Sequence, residues 1–115
     1  MSKTYVEPVH AGEFLLSEGA GKISREAIAL AAGVALPAGQ VLGQITASGL
    51  LTAYDPKAED GSEAAKCILF AGVPASDEER RGRAVVRLAE VTESLLTGLD
   101  LDAEKALASH FIIVR

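Results

Sequence analysis

The sequence predicts a mainly β domain with small α-helical segments, α+β in class, preceded by an extended N-terminal arm. Three observations carry that expectation. Residues 32–45 read as turn, turn, strand: Gly33 and Gly39 give backbone freedom on either side of Pro37, which fixes φ and lacks a donor. Val41, Leu42 and Ile45 then carry the apolar signal of a buried strand. Ser48-Gly49 separates that strand from a second one by a gap short enough for a hairpin. Finally, aliphatic runs recur at residues 65–73, 83–91 and 111–115, set off by Pro, Gly and charged clusters.

In chain order, residues 1–21 form the arm. Thr4, Tyr5, Val6, Glu7, Pro8, Val9 and His10 are β-prone as a run, but Pro8 confines them to a sheet edge or to a place outside a sheet. Gly12, Gly19 and Gly21 punctuate the short apolar stretch Phe14-Leu15-Leu16, so the arm is expected to make few contacts with the body. The folded domain spans residues 22–115. Residues 23–30 fit a helix or a strand. Ser24 with Arg25, Glu26 and Ala27 has helix-start character, while Ile28 and Leu30 alternate with Ala27, Ala29 and Ala31. The nearby Gly33 and Pro37 leave little room for a long helix, which favours the strand. Strands follow over residues 40–46 and 50–54, with Gly39 and Gly43 flanking the start of the first where close packing is expected. A polar loop over residues 55–63 uses Asp55, Pro56 and Gly61 for their turn propensity.

The strand over residues 65–73 runs through Cys67, Ile68, Leu69 and Phe70. Next comes a charged loop, residues 74–82, and a single strand over residues 83–91. Arg80, Arg81 and Arg83 follow Asp77, Glu78 and Glu79 directly; the cluster reads as a solvated, self-compensating loop, or else as a contact for an acidic partner surface. Leu95, Leu96 and Leu99 suggest a short helix within residues 92–99. Ala103, Ala106 and Leu107 suggest another over residues 102–110, with Asp102 as N-cap. A terminal strand occupies residues 111–115.

Composition bounds the function. At 115 residues the chain is one domain, able to bury roughly two-thirds of its unfolded surface. A net charge of -5 argues against general nucleic-acid binding, which needs clustered cations. No stretch approaches the ~20 apolar residues of a membrane span, and the first residues lack a signal-peptide run. The lone Cys67 and the absence of Asn fit synthesis in a reducing cytoplasm. Hydrophobic residues make up 49% while aromatics are 4%, so the apolar excess lies in small aliphatics, which suits burial against copies of the chain or a partner.

Reactive patterns fail one by one. His10, His110 and Cys67 have no metal-ligand spacing. Counting back from Gly61 puts Pro56 and Ala58 where a calcium loop needs acidic or amide ligands. There is no nucleophile elbow and no phosphate-binding Gly-rich loop; Gly39 and Gly43 lie at a strand without the following Lys. Asp55-Pro56-Lys57-Ala58 is similar to the hairpin tip of lipoyl carrier domains, yet Pro56 separates Asp from Lys and the loop is long. The expectation is a non-enzyme with no cofactor and no metal.

The order of these segments resembles the phage head decoration protein family of the lambda protein D type. The matching residues are Ala32-Gly33, then Leu36-Pro37-Ala38-Gly39-Gln40-Val41-Leu42-Gly43-Gln44-Ile45, Tyr54-Asp55-Pro56 and Asp60-Gly61-Ser62-Glu63. They continue with Ile68-Leu69, Val85-Val86-Arg87, Ala89-Glu90-Val91 and the ending Ile112-Ile113-Val114-Arg115. The resemblance covers residues 22–115 and implies a β-clip-like fold. It implies homotrimers on the outer surface of the virion that bridge capsomers of the expanded shell and resist internal DNA pressure. It also implies that the N-terminal arm contacts the major capsid protein, for which the β-prone run Thr4 to His10 is the expected segment; charge and hydropathy leave no direct nucleic-acid or membrane partner. Two other readings stand beside it: a small β-clip ligand-binding module, which needs a polar concave pocket, and a lipoyl-like carrier, which needs an acylated Lys57.

Overall fold

In the computed structural model, residues 9–20 and 23–115 are described, and the fold is mainly β with one short helix. Thr4 through Pro8, and the expected arm boundary at residues 21 and 22, lie outside the described residues. The elements are β1 (Leu15–Glu18), β2 (Arg25–Leu30), β3 (Val41–Gln44), β4 (Leu51–Ala53), β5 (Ala65–Leu69), β6 (Arg80–Val85), β7 (Ala89–Val91), α1 (Leu101–Ala108) and β8 (Ile112–Val114). Five strands close a barrel in the order β2-β4-β3-β5-β6, and a second sheet has the order β1-β7-β8.

Strand alternation divides the apolar residues between two cores. Leu30, Leu42, Leu51, Cys67, Leu69 and Ala84 fill the barrel interior. Their sequence neighbours Val41, Ile68 and Val85 point the opposite way, as strand pleating requires, and pack with Phe14, Val91, Leu107 and Ile112 between the barrel wall and the second sheet. The barrel seam is uneven. β2 pairs with β6 along its whole length, from Arg25↔Val85 to Leu30↔Arg80, but meets β4 through the single pair Leu30↔Leu51.

Several expectations change. The expected single strand over residues 83–91 is two strands in different sheets, because the chain turns between them. Leu88 there has φ 53, and its carbonyl is held by the Gly19 N–H at 2.9 Å and the Ser24 hydroxyl at 2.9 Å. β6 also starts earlier, at Arg80, inside what the sequence suggested was a charged loop. The expected helix over residues 92–99 reduces to a 3-10 turn at Glu93–Leu95. The N-cap of α1 is Asp100, not Asp102: Asp100 is extended, and its carboxylate accepts the Ala103 N–H at 2.7 Å. Asp102 and Glu104 sit in the first turn, where the exposed helix N–H groups favour negative charge.

The stretch following His10 also differs from an unsupported arm. Phe14 is fully buried in the core between barrel and sheet, and β1 pairs antiparallel with β7 through Leu15↔Val91 and Glu18↔Ala89. Phe14 lies within a short apolar run among glycines, and burial of its ring outweighs the poor local propensity around it.

Gly43 has no room for a side chain. A Cβ there would lie 2.7 Å from Ser62 Cα and 2.8 Å from Ser62 C, both backbone atoms that cannot rotate away. Gly43→Val is expected to lower stability by about 1–3 kcal/mol through overpacking. An unchanged urea midpoint would show that the 55–63 loop yields freely.

Candidate attachment surface

The expected attachment residues are only partly within view. Val9 is half-buried and His10 exposed. The His10 N–H donates to Glu13 Oε1 at 2.8 Å, and the Glu13 N–H returns to the His10 carbonyl at 3.0 Å. This turn leads into Phe14, which is buried in the core.

Apart from Gly43, which lies inside β3, the turn residues predicted from sequence fall in the loops between barrel strands. Gly33 (φ 154) exchanges both backbone hydrogen bonds with Ser76, at 2.9 and 3.0 Å. The Pro37 carbonyl accepts the Gln40 N–H at 3.2 Å. Gly39 (φ 88) faces the Leu95 carbonyl so closely that a Cβ would collide with it. Asp55 Oδ1 accepts the Lys57 N–H at 2.9 Å across Pro56, and Gly61 (φ 109) packs its backbone onto Gln44 O. Gly39 precedes β3 and Gly61 packs at its far end, so these residues serve loops at both ends of that strand.

Three features had no clear sequence signal. Arg80, read as solvated, is buried and forks into the loops above it: Nε and Nη2 donate to the Ala31 carbonyl at 3.1 and 2.8 Å, and Nη1 to Val34 O at 2.6 Å and Pro74 O at 2.9 Å. Its place as the first residue of β6, opposite Leu30, turns it inward. Arg81 and Arg83, by contrast, are exposed and engage no ion pair or hydrogen bond among the described residues. Third, an open groove of about 590 Å³ runs beside β2, bounded by Glu26, Ala29, Gln44, Lys66 and Phe111.

The titratable groups are tuned for structure. Burial pushes the Cys67 thiol up to about 12, so it stays protonated and unreactive at neutral pH. Among the described residues, no three His, Cys, Asp or Glu side chains converge as metal ligands would. The Arg115 guanidinium, with the Ser17 hydroxyl, holds the Glu90 carboxyl below its usual range across the face of the second sheet.

Burial raises the Tyr54 phenol to about 12, helped by the Asp100 carboxylate, to which it donates at 2.9 Å. The fold therefore holds the neutral phenol. Its contribution to stability is complete below the unfolded pKa of 10 and is lost as pH rises from 10 towards 12. Tyr54→Phe is expected to cost about 1–2 kcal/mol at neutral pH and to flatten this alkaline loss. Urea unfolding of both proteins across that pH window checks it; parallel alkaline slopes would remove Tyr54 as the cause.

A family model described as bacteriophage lambda head decoration protein D matches residues 4–112 of the chain. No curated protein matches it.

Proposed function

Because the chain belongs to the bacteriophage lambda head decoration protein D family, we propose that it binds the outer surface of a phage head as a homotrimer and secures the expanded shell against internal DNA pressure. The family match over nearly the whole chain carries this reading. The partner is the major capsid protein. A closed ring of three buries the same pair of patches three times and leaves no unpaired end, which suits a body rich in small aliphatic side chains.

Attachment runs through Thr4, Tyr5, Val6, Glu7, Pro8, Val9 and His10. This strand-competent run adds to an edge of a capsid-protein sheet, and Pro8 limits pairing to one side. Three such segments on one trimer reinforce each other through effective concentration, so each contact can be weak.

The test is co-sedimentation with expanded shells of the same phage. The full chain is expected to sediment with them, and a reconstruction of the decorated shell to show the protein in threes. Deleting residues 1–8 is expected to abolish most binding while leaving thermal unfolding nearly unchanged. Full binding by the truncated chain would move attachment onto the body. Isolated monomers or dimers on the shell would overturn the trimer.

A further inference from the structure

We propose that the outer edge of β2, over residues 25–29, is a second docking site that accepts an extended, acidic segment of the shell protein as an added strand. The Val86 N–H bonds the Ser24 carbonyl at 2.8 Å, so along the β2–β6 ladder Ser24, Glu26, Ile28 and Leu30 turn their backbone groups towards β6. Arg25 and Ala27 turn theirs the other way. The same parity appears on β6, where the Arg83 carbonyl, opposite Ala27, serves Phe70 N–H on the β5 side at 2.9 Å.

On that outward side the next strand is β4, and it reaches β2 only at Leu30↔Leu51, where the Ala31 N–H bonds Leu51 O at 2.9 Å. The N–H and C=O groups of Arg25 and Ala27 therefore have no strand partner among the described residues. Beside them lies the 590 Å³ groove. An unpaired strand edge along an open groove is the geometry in which an extended peptide adds by main-chain hydrogen bonds.

Charge selects the occupant. Ala27 and Ala29 sit directly opposite Arg83 and Arg81, and all four share the outer face of the ladder. The alanines are too small to screen the two unpaired guanidinium groups from a strand on the far side of β2. That strand would lie about 10 Å from β6, within the combined reach of an arginine and an acidic side chain. On the groove's other wall, Lys66 Nζ is held among the described residues only by the neutral Gln44 amide oxygen, at 2.5 Å. An extended segment carrying carboxylates satisfies the backbone edge and these cations together. The source of the segment rests on the shell-binding reading above.

Hydrogen exchange at single amides, read on the full chain alone and bound to expanded shells, tests the site. The Arg25 and Ala27 amides are expected to exchange fast in the free protein at every concentration and to become protected on the shell. Arg81→Glu with Arg83→Glu is expected to weaken shell binding about tenfold, and less so at high salt. Ala27→Pro blocks the edge without removing a ladder hydrogen bond, and is expected to weaken shell binding with little change in melting temperature. A chain that binds shells with both amides still exposed overturns the site while the shell-binding reading stands; a chain that binds no shells overturns both. Protection in the free protein also overturns the proposal: if it grows with concentration the occupant is a second copy, and if it vanishes on deleting residues 1–8 the occupant is the chain's own arm.

Discussion

Replacing Phe14 with Ala is expected to lower the unfolding free energy by about 3–5 kcal/mol, the range for deleting a buried aromatic ring. Phe14 has no exposed surface and packs in the core that joins the barrel wall to the second sheet. Its carbonyl also accepts the Thr92 N–H at 2.8 Å, just before β1 pairs with β7. Residues 1–20 are therefore no removable tag: their deletion strips out Phe14 and β1 together and is expected to unfold the second sheet. Urea denaturation of Phe14→Ala measures the effect. A shift below about 1 kcal/mol, no more than an average point mutation gives, would place Phe14 at the surface and return these residues to the arm.

Arg80→Met is expected to cost about 2–4 kcal/mol, because it leaves the Ala31, Val34 and Pro74 carbonyls without their shared donor. Methionine keeps the side chain's length and loses the fork, so the loss is one of hydrogen bonds rather than of volume. The two loops that Arg80 ties together are otherwise joined by the reciprocal Gly33–Ser76 and Leu36–Val73 backbone pairs. Those amides are expected to exchange faster in the variant, ahead of the rest of the barrel. If they keep their protection and the urea midpoint holds, the guanidinium is not the clamp.

The expected strands corresponding to β2, β3, β4, β5 and β8 were legible because each carries its own alternation or apolar run between turn residues. The break between β6 and β7 was not. Residues 83–91 alternate without interruption, and nothing local announces that Leu88 adopts a left-handed backbone; Ser24 and Gly19, distant in sequence, hold it there. The leucines of residues 92–99 suggested a helix, yet they reach the core from a 3-10 turn and extended chain, and Gly98 (φ 83) bends the path before Asp100 starts α1. Arg80 looked solvated because burial of a guanidinium depends on carbonyls that come from two other loops. The surface along β2 was illegible for a related reason. Arg25 and Ala27 look like any strand residues, and only the tertiary pairing reveals which of their backbone groups lack a neighbour. The cations opposite them could be read from the sequence, but not their separation from Asp77, Glu78 and Glu79, which form no ion pair with them.

The way β3, β5 and β6 send alternate residues to opposite sides has a consequence for how the body comes apart. Val41 and Leu42, Ile68 and Leu69, and Ala84 and Val85 are adjacent pairs in which one member belongs to each core. Loosening either core disturbs a wall that the other shares, so neither can melt while its neighbour stays ordered. The domain should therefore lose its structure in one cooperative step, with calorimetric and van't Hoff enthalpies in agreement and the slowest-exchanging amides gathered in those three strands.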